Sequence, residues 1–356
     1  MKPIRVEDYS AHAKATLAGD VLGYLDGGAG SEWTLRANLA AYERMTVRPR
    51  VLVDVARCDT GTTLLGTGLS APIGIAPMAY HRLVHDEGEA ATARAAAAAG
   101  VLFVASMFAS TGLAEMAAAG GPQWMQLYWL RDRGALLGFV ERTRAAGFGA
   151  LVLTVDAPRV ARRPRDARNG FTLPAHVRAV NLDPEVMATS HVAESGSSAL
   201  ERHSRERFDP RITWADLGWL RERAGLPLVL KGILTTEDAE LAVAHGVDAI
   251  VVSNHGGRQL DGAPATLDVL PEVVAQVAGR IPVLVDGGVR TGTDVLKAVA
   301  LGASTVLVGR PALWALAHSG ADGVADLLGI LRAELDEAMA LAGRPRLADL
   351  DRSALG

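Results

Sequence analysis

Eight short apolar runs, separated by stretches with helical spacing, are the feature that most restricts the fold of this chain. Each run has the length of a strand and carries almost no charge, which is typical of strands covered on both faces. The runs occupy residues 71–77, 101–106, 123–129, 150–156, 227–232, 249–254, 282–288 and 304–309. Strands that alternate with helices pair in parallel through right-handed crossovers, so the pattern predicts an α/β fold around one parallel sheet.

The number of runs favours a closed (β/α)8 barrel, the TIM barrel, over an open doubly wound sheet. An open sheet more often carries a G-x-G-x-x-G motif after its first strand, and none follows residues 71–77. Helices are predicted between the runs over 87–99, 133–146, 236–245, 267–277 and 292–301. A length of 356 residues suits one such barrel, so we expect residues 1–356 to form a single domain.

Two segments lie outside the regular alternation. Residues 1–70 form an N-terminal accessory segment, with predicted helices over 9–25 and 31–42 and short strands and turns over 51–69. After the fourth run, residues 159–213 form a long polar loop excursion, and we expect mobility between about 184 and 210. A last helix is predicted over 324–342, packed on the outside of the barrel.

Composition argues against several classes of protein. The net charge of −4 argues against a nucleic-acid-binding protein, which usually carries a basic excess. A single cysteine, Cys58, excludes an intrachain disulfide framework and a cysteine-cluster metal site, and no metal is expected. The chain starts without an apolar signal region, and residues 95–109 are too short to cross a membrane. We therefore expect a soluble protein of the cytoplasm, a reducing compartment.

The site of such a barrel lies at the carboxyl ends of its strands. The sixth run leads into the motif SNHGGRQ (253–259). In this motif His255 can take a proton near neutral pH, and Arg258 can hold an anion. An ordinary strand-to-loop turn with a capping histidine is the alternative for this motif taken alone. Most of the other strands also end in polar or glycine residues, and this recurrence favours a site. The strand-end residues are Pro77, Met78, Ala79, Ser106, Gln126, Tyr128, Thr154, Asp156, Lys231, Asp286, Gly287, Gly288, Gly309 and Arg310.

Glycines and arginines follow the last two strands, in DGGVR (286–290) and GRP (309–311). Barrels of this kind often bind phosphate at these loops, beside the start of a short helix. Backbone N–H groups together with Arg290 and Arg310 therefore predict a phosphate site, with two structural tight turns as the alternative.

Lys231 narrows the choice of cofactor. FMN has one phosphate and one flat redox ring, and a lysine beside that ring would stabilise the anion formed on reduction. Pyridoxal phosphate is the rival, because Lys231 could form its Schiff base. An ion pair at the barrel rim is the structural alternative for Lys231.

Four motifs carry a family resemblance, namely SNHGGRQLDGAPAT (253–266), VDGGVRTGTDVLKAVALGA (285–303), MQLYWLRDR (125–133) and LTVDAP (153–158). Together they resemble the FMN-dependent 2-hydroxy acid oxidase and dehydrogenase family, which includes glycolate, lactate and mandelate or hydroxymandelate oxidases. The first two are long and specific, and the likeness covers nearly the whole chain. It implies FMN as cofactor, oxidation of a small-molecule 2-hydroxy acid to the 2-keto acid, and assembly into a homotetramer.

The resemblance also implies a role for each site residue. It makes His255 the active-site base, Asp156 the carboxylate that orients it, and Lys231 the cation beside the reduced flavin. The substrate-binding residues would be Tyr24, Phe108, Tyr128, Arg163 and Arg258. The cofactor-binding residues would be Pro77, Met78, Ala79, Ser106, Gln126, Thr154, Lys231, Ser253, Asp286, Gly287, Gly288, Arg290, Gly309 and Arg310. From the residues alone, Arg163 belongs to a basic run typical of a solvated face, and His81 and His85 are competing bases.

Departures from glycolate oxidase concern the pocket. Met78 stands where that enzyme has a threonine, Phe108 where it has a tryptophan, and Tyr80 where it has a methionine. Together with Trp129, they favour a larger, aromatic substrate such as mandelate or 4-hydroxymandelate. Ala79 matches the alanine of glycolate oxidase, where some dehydrogenases have glycine, which favours O2 as acceptor and H2O2 as product.

Other functions remain open from the sequence. A dehydrogenase that acts on a lactate-like substrate with another electron acceptor is the first alternative. An FMN-dependent isomerase and a flavin-binding protein without turnover are two more. Neither a nucleic acid nor a membrane is an expected partner.

Overall fold

The computed structural model describes residues 2–182 and 207–356. Its centre is a closed barrel of eight parallel strands, neighbours in chain order, which confirms the predicted TIM barrel. A small antiparallel hairpin, β1 (Thr62–Leu64) and β2 (Thr67–Leu69), precedes it. The barrel strands are β3 (Ile73–Ile75), β4 (Leu102–Ser106), β5 (Gln123–Leu127), β6 (Leu151–Thr154), β7 (Leu228–Ile233), β8 (Ala249–Val252), β9 (Val283–Asp286) and β10 (Thr305–Val308). Pairing of β10 with β3 closes the barrel.

The helices surround the barrel, and most follow a strand in the predicted alternation. Before the barrel come α1 (Val6–Thr16), α2 (Gly19–Asp26) and α3 (Trp33–Arg44). The next are α4 (Gly88–Ala99), α5 (Leu113–Ala117), α6 (Arg133–Ala145), α7 (Pro164–Asn169), α8 (Asp216–Ala224), α9 (Thr236–Ala244), α10 (Thr266–Val277), α11 (Gly292–Ala300) and α12 (Arg310–Leu341). In the part of the chain that the structure describes, no helix combines the length and apolar character needed to cross a bilayer.

Alternate residues of the barrel strands enter two separate cores. Val104, Val152 and Val251 fill the inside of the barrel, whereas Phe103 and Leu153 pack outward against the helices. Both faces are buried, which explains why the apolar runs carry so little charge. Because side chains fill the interior, a ligand has to bind at the mouth of the barrel rather than within it.

The N-terminal segment differs from its prediction, because the single helix predicted over 9–25 is two helices. Leu17 and Ala18 adopt extended backbone between α1 and α2, with ψ angles of 146° and 141°. The break has a packing reason, since α1 lies against α12 whereas α2 lies against α7. A straight helix would not reach both surfaces. The turn also brings Tyr24 on α2 to the barrel mouth.

The C-terminal helix is longer than the predicted 324–342. It starts directly after β10 and continues to Leu341, with non-helical backbone at Ser319 and Gly320. Gly320 has a φ of 58°, and a Cβ there would lie 2.7 Å from His85 Nε2. Glycine therefore allows the kink that joins the last barrel helix and an outer helix into one element.

The excursion after β6 packs on the barrel as far as the structure describes it. It contains α7. Beyond α7, Asn181 makes two hydrogen bonds to the backbone at the start of α5. Asn181 Nδ2 donates to Thr111 O at 2.8 Å, and Leu113 N donates to Asn181 Oδ1 at 2.9 Å. Most of the stretch predicted to be mobile, 184–210, lies outside the described residues. From residue 207 the chain pairs with the loop after β5, through a bridge between Leu130 and Phe208.

Candidate active site

A cavity opens at the carboxyl ends of the barrel strands, where the sequence analysis places the site. The empty space between its lining residues, open solvent included, is about 1240 Å³. All of the predicted site residues line it except Asp156 and Ser253, which contact lining residues from behind.

His255 follows β8 in a backbone conformation that is rare outside glycine. Its φ is 59°, in the left-handed region. Its N–H donates to Ser253 Oγ at 3.1 Å, and its Nδ1 lies 2.9 Å from Asp156 Oδ1. A carboxylate at Nδ1 favours the tautomer with the proton there, which leaves the Nε2 lone pair free to accept a proton. Backbone strain thus coincides with the residue predicted to be the base.

Burial sets the protonation state of this pair. Burial lowers the pKa of His255, and the charges of Lys231 and Arg163 lower it further. The Asp156 carboxylate raises this pKa, but the net effect is a pKa below the ordinary value. Burial raises the pKa of Asp156, but His255 and Lys231 outweigh this effect, so that the pKa lies below its ordinary value. At neutral pH the pair is therefore a neutral imidazole on a carboxylate, which is the state that a general base needs.

Lys231 on β7 belongs to a buried polar chain. Its Nζ lies 3.0 Å from Asp286 Oδ2 and donates to Ser253 Oγ at 2.8 Å, and Ser253 Oγ donates to Asp286 Oδ1 at 2.7 Å. Burial alone lowers the pKa of Lys231, but Asp286 and Asp156 outweigh it and raise the pKa. Lys231 is therefore a fixed cation in the cavity wall. A raised pKa disfavours the neutral amine that a Schiff base requires, which argues against pyridoxal phosphate.

Two arginines, the buried Arg258 and the half-buried Arg310, converge on the carboxyl end of α2. Arg258 Nη1 donates to the carbonyl oxygens of Tyr24 and Gly27, both at 2.7 Å. Arg310 donates through Nε to Leu25 O at 3.1 Å and through Nη2 to Gly27 O at 2.9 Å. The last carbonyl groups of a helix carry partial negative charge, so α2 compensates part of both positive charges. These bonds fix the two guanidinium groups at the cavity wall.

The arginines at the cavity repel one another. Burial, followed by the charge of Arg163, lowers the pKa of Arg258 to about 10. Burial, followed by the charges of Arg258 and Arg290, lowers the pKa of Arg310 to about 9. Arginine nevertheless stays protonated in proteins, so these groups remain crowded cations. Anions bound in the cavity would relieve that repulsion, as a phosphate and a substrate carboxylate would.

Arg163 differs from the other arginines of its basic run. The others, at positions 159, 162, 165 and 168, are exposed. The side chain of Arg163 is only 10% exposed, and its Nη1 lies 3.8 Å from Asp166 Oδ2. It precedes α7 and lines the cavity. The run is therefore a solvated face with one member directed to the site.

The loops after β9 and β10 contain glycines, and those after β9 lie directly against α3. Gly287 and Gly288 have φ angles of 97° and 99°, and a Cβ on Gly288 would lie 2.4 Å from Asn38 O. The helix α12 begins directly after Gly309, so the positive end of its dipole lies at this turn. Arg290 lies nearby among the lining residues. Glycine turns, a helix start and arginines are the donor set that binds phosphate.

One wall of the cavity is aromatic and comes from loops. Phe108 follows β4 and Tyr128 follows β5, with their ring centroids 5.6 Å apart. Phe208 adds a third ring, 4.6 Å from Tyr128 and 6.0 Å from Phe108. These three residues are called the aromatic wall below. Phe208 is not among the predicted site residues, because it follows a long excursion and no motif surrounds it.

Trp129 lies outside this wall, although its position after Tyr128 in the sequence favoured a large substrate. Its ring packs under the Arg133 guanidinium at 4.2 Å and meets Trp219 of α8 edge-on at 5.6 Å. Trp129 therefore belongs to the helix layer, because alternate residues of an extended segment point to opposite sides. It carries no argument about the size of the substrate.

The competing histidines also lie away from the cavity lining. His81 is buried with its Nδ1 2.9 Å from Thr92 Oγ1, and burial lowers its pKa. His85 packs against Gly320 at the kink of α12. Neither lines the cavity, so His255 is the histidine placed to act there.

A buried pair of amides joins the accessory segment to the His255 loop. Asn38 on α3 and Asn254 each donate from Nδ2 to the other's Oδ1 at 2.8 Å. Asn254 Oδ1 also accepts from Gly257 N at 3.1 Å. A Cβ on Gly257 would lie 2.6 Å from Leu35 N, so α3 packs directly on this loop. The accessory segment therefore supports the site, a role that the sequence alone did not predict.

Residues 13–356 match the model of the family described as FMN-dependent dehydrogenase. The chain belongs to this family. An L-lactate oxidase from a Nostoc species is 48% identical over 99% of this chain and 98% of its own length. A 4-hydroxymandelate oxidase from Amycolatopsis orientalis is 49% identical over 96% of this chain and 95% of its own. Glycolate oxidase 1 from Oryza sativa subsp. japonica is 45% identical over 98% of this chain and 94% of its own length.

A solved structure of a mandelate oxidase with (S)-4-hydroxymandelic acid is similar throughout. Its TM-score is 0.95 and its identity 47%, over 99% of this chain and 98% of that chain. These comparisons confirm the resemblance found in the sequence and FMN as the cofactor. The protein is accordingly an enzyme of the FMN-dependent 2-hydroxy acid oxidase kind.

The cavity residues fit FMN. At one end, the crowded arginines and the glycine turns would hold its phosphate. At the other, Gln126 Oε1 accepts from Ser106 Oγ at 3.2 Å and its Nε2 donates to Thr154 Oγ1 at 3.1 Å, beside the Lys231 cation. These groups would hydrogen-bond the polar edge of the ring, as the family resemblance implies.

Proposed function

We propose that this enzyme oxidises 2-hydroxy acids with an aromatic side chain, of the mandelate or 4-hydroxymandelate type, to 2-keto acids with O2 as acceptor. The substrate loses two electrons and two protons, and O2 gains both to give H2O2. FMN, when bound, supplies the redox chemistry by taking two electrons from the substrate and passing them to O2. The observation that carries the proposal is one cavity in which the His255–Asp156 pair, two arginines and the aromatic wall meet.

In this proposal the arginines position the substrate. Arg163 and Arg258 bind its carboxylate through charge-assisted hydrogen bonds. Tyr24 and Tyr128 add hydroxyl donors, and burial raises the pKa of both, so their protons are retained at neutral pH. Tyr24 is held flat against Phe171, with ring centroids 4.4 Å apart. A substrate fixed at its carboxylate presents its Cα at a defined place, which is a large part of catalysis.

His255 moves the proton in this proposal. Its Nε2 accepts one of the two protons that the substrate loses, and Asp156 at Nδ1 stabilises the imidazolium that forms. Lys231 stays charged and offsets negative charge that develops at the cavity wall. The aromatic wall receives the substrate side chain.

An anaerobic screen tests the proposal. The holoenzyme is mixed with mandelate, 4-hydroxymandelate, lactate or glycolate, and loss of flavin absorbance is followed before air is admitted and H2O2 is measured. We expect the fastest bleaching with the two aromatic acids and stoichiometric peroxide. Absence of bleaching with every acid would contradict oxidation of hydroxy acids. Bleaching without peroxide would favour the dehydrogenase alternative, and faster bleaching with lactate or glycolate would contradict the aromatic preference.

We also propose that the chain assembles into a homotetramer, as the family resemblance implies. Exposed apolar side chains support an interface, since Val51 is 80% exposed and Leu52 is fully exposed. Light scattering of the holoenzyme measures the mass. A mass of one chain across the micromolar range would contradict the proposal.

A further inference from the structure

We propose that Phe208 determines the preference of the site for an aromatic side chain. The inference rests on the proposed function and deepens it, because it assigns substrate selectivity to one residue. Phe208 has no polar group and takes no part in proton or electron transfer. Its role is to supply the apolar surface that a substrate ring contacts and that a small substrate cannot reach.

The geometry of the aromatic wall supports this role. The Phe208 ring lies nearly parallel to that of Tyr128, with 18° between the planes, and is inclined by 30° to that of Phe108. All three side chains line the cavity that His255 and Arg163 also line. A substrate held by its carboxylate near His255 would therefore extend its side chain along these rings. Offset and inclined rings are the arrangements in which aromatic groups attract one another.

The backbone holds Phe208 in this place. Arg131 N donates to Arg207 O, and Asp209 N donates to Trp129 O, both at 2.9 Å, on either side of the Leu130–Phe208 bridge. The segment after the excursion is thus paired antiparallel with the loop that carries Tyr128. Phe208 is 4% exposed. A ring fixed on both sides by backbone pairing presents a preformed surface, which favours selective binding.

The residue after Phe208, Asp209, forms ion pairs that hold this segment against the barrel. Asp209 is buried, and its Oδ2 accepts from Arg133 Nη2 at 3.0 Å while its Oδ1 accepts from Arg211 Nε at 2.9 Å. Arg133 begins α6, so this ion pair ties the end of the excursion to the helix layer. The position of Phe208 therefore depends on the rigid barrel, although the residue itself lies on a loop.

Truncation of Phe208 tests the inference. We expect Phe208→Ala in the holoenzyme to lower kcat/KM for mandelate by about 10- to 100-fold, because a pocket discriminates by the apolar contact it offers. For glycolate, which has no side chain, kcat/KM should change by less than about threefold. Phe208→Tyr keeps the ring and should retain most of the preference. The dissociation constants of phenylglyoxylate and glyoxylate, from the shift of the flavin spectrum, report the same selectivity without turnover.

The control is Phe139→Leu on α6, which truncates an equally buried ring that does not line the cavity. It should leave the ratio of the two dissociation constants unchanged. Equal weakening of phenylglyoxylate and glyoxylate in Phe208→Ala would overturn the inference and leave Phe208 a packing residue. A wild-type enzyme that prefers glycolate or lactate would instead contradict the proposed function, and the ratio of dissociation constants would still decide the role of Phe208.

Discussion

The two halves of the cavity are built from different parts of the barrel. In the reacting half, Lys231 and Asp286 lie on strands, and His255 and Asp156 follow a strand within three residues. They bond to one another through carboxylates and a shared hydroxyl. The aromatic wall is assembled from three separate loops, one of which returns from the excursion after β6.

This difference separates two demands on an active site. Groups that move protons or stabilise charge need fixed distances, and strand ends joined by hydrogen bonds and ion pairs supply them. A wall that receives a side chain needs only apolar surface of suitable shape, which loops can provide. Changes in the reacting half should therefore affect every substrate alike. Changes in the wall should depend on the side chain of the substrate, and the variants below test this division.

The largest effect is expected for His255→Asn. Asparagine tolerates the left-handed backbone at this position but cannot act as a base. We expect kcat to fall by about 10²- to 10⁴-fold for mandelate and glycolate alike. Flavin absorbance and thermal unfolding of the variant measure whether FMN and fold are retained. A loss confined to one of the two substrates would contradict the division between the halves.

The next largest effect is expected for Asp156→Asn, which should change both kcat and the pH dependence of kcat/KM. His255 must be neutral to act, and its pKa is lowered, so wild-type kcat/KM should fall only as the pH drops below about 6.5, the ordinary histidine value. The Asp156 carboxylate raises that pKa, so its removal should move the acid limb to still lower pH. At the plateau, kcat should fall by roughly 10²-fold, because the imidazolium loses its counter-charge. An acid limb that moves to higher pH would contradict the assigned pair.

A smaller effect is expected for Arg163→Gln. Loss of a charge-assisted hydrogen bond of about 1.5–3 kcal/mol should raise KM by roughly 10- to 100-fold for mandelate and glycolate together. Arg163 is a cleaner test than Arg258, whose Nη1 also holds the end of α2. Arg162→Gln, in the exposed part of the same run, is the control and should leave KM within about twofold. An Arg163 variant with unchanged KM would remove this residue from the carboxylate site.

The same division explains what the sequence could predict. Strands buried on both faces must be apolar throughout, so eight runs of strand length identified the barrel and its mouth. Strand ends then gave a short set of candidates, among them His255 and Lys231, and the family motifs supplied their expected roles. The break at Leu17–Ala18 was not predictable, because it results from the packing of α1 and α2 on different helices.

The roles of Phe208 and of the Asn38–Asn254 pair were not predicted, and the reason is also tertiary packing. The position of Phe208 depends on pairing with residues 129–131, more than 70 residues earlier in the chain, and no local pattern encodes that register. The buried pair of Asn38 and Asn254 is similar, since its partners are 216 residues apart. Such contacts follow from tertiary packing, which periodicity and turn signals do not contain.

The smallest effect is expected for Asp209→Asn, which weakens the anchor of Phe208 and leaves the ring in place. The bond from Arg211 lowers the pKa of Asp209 to about 2, so the ion pairs are present at any pH of assay. Partly exposed pairs contribute little, so the ratio of kcat/KM for mandelate to that for glycolate should fall by only about two- to fivefold.

Asp268→Asn is the control for this anchor, because it breaks an exposed pair with Arg44, and neither residue lines the cavity. The ratio should not change in this control. If Asp209→Asn lowers kcat/KM for both substrates equally, the anchor supports the barrel as a whole rather than Phe208. If it changes neither, the two backbone hydrogen bonds hold Phe208 without help, and selectivity then depends on the loop pairing alone.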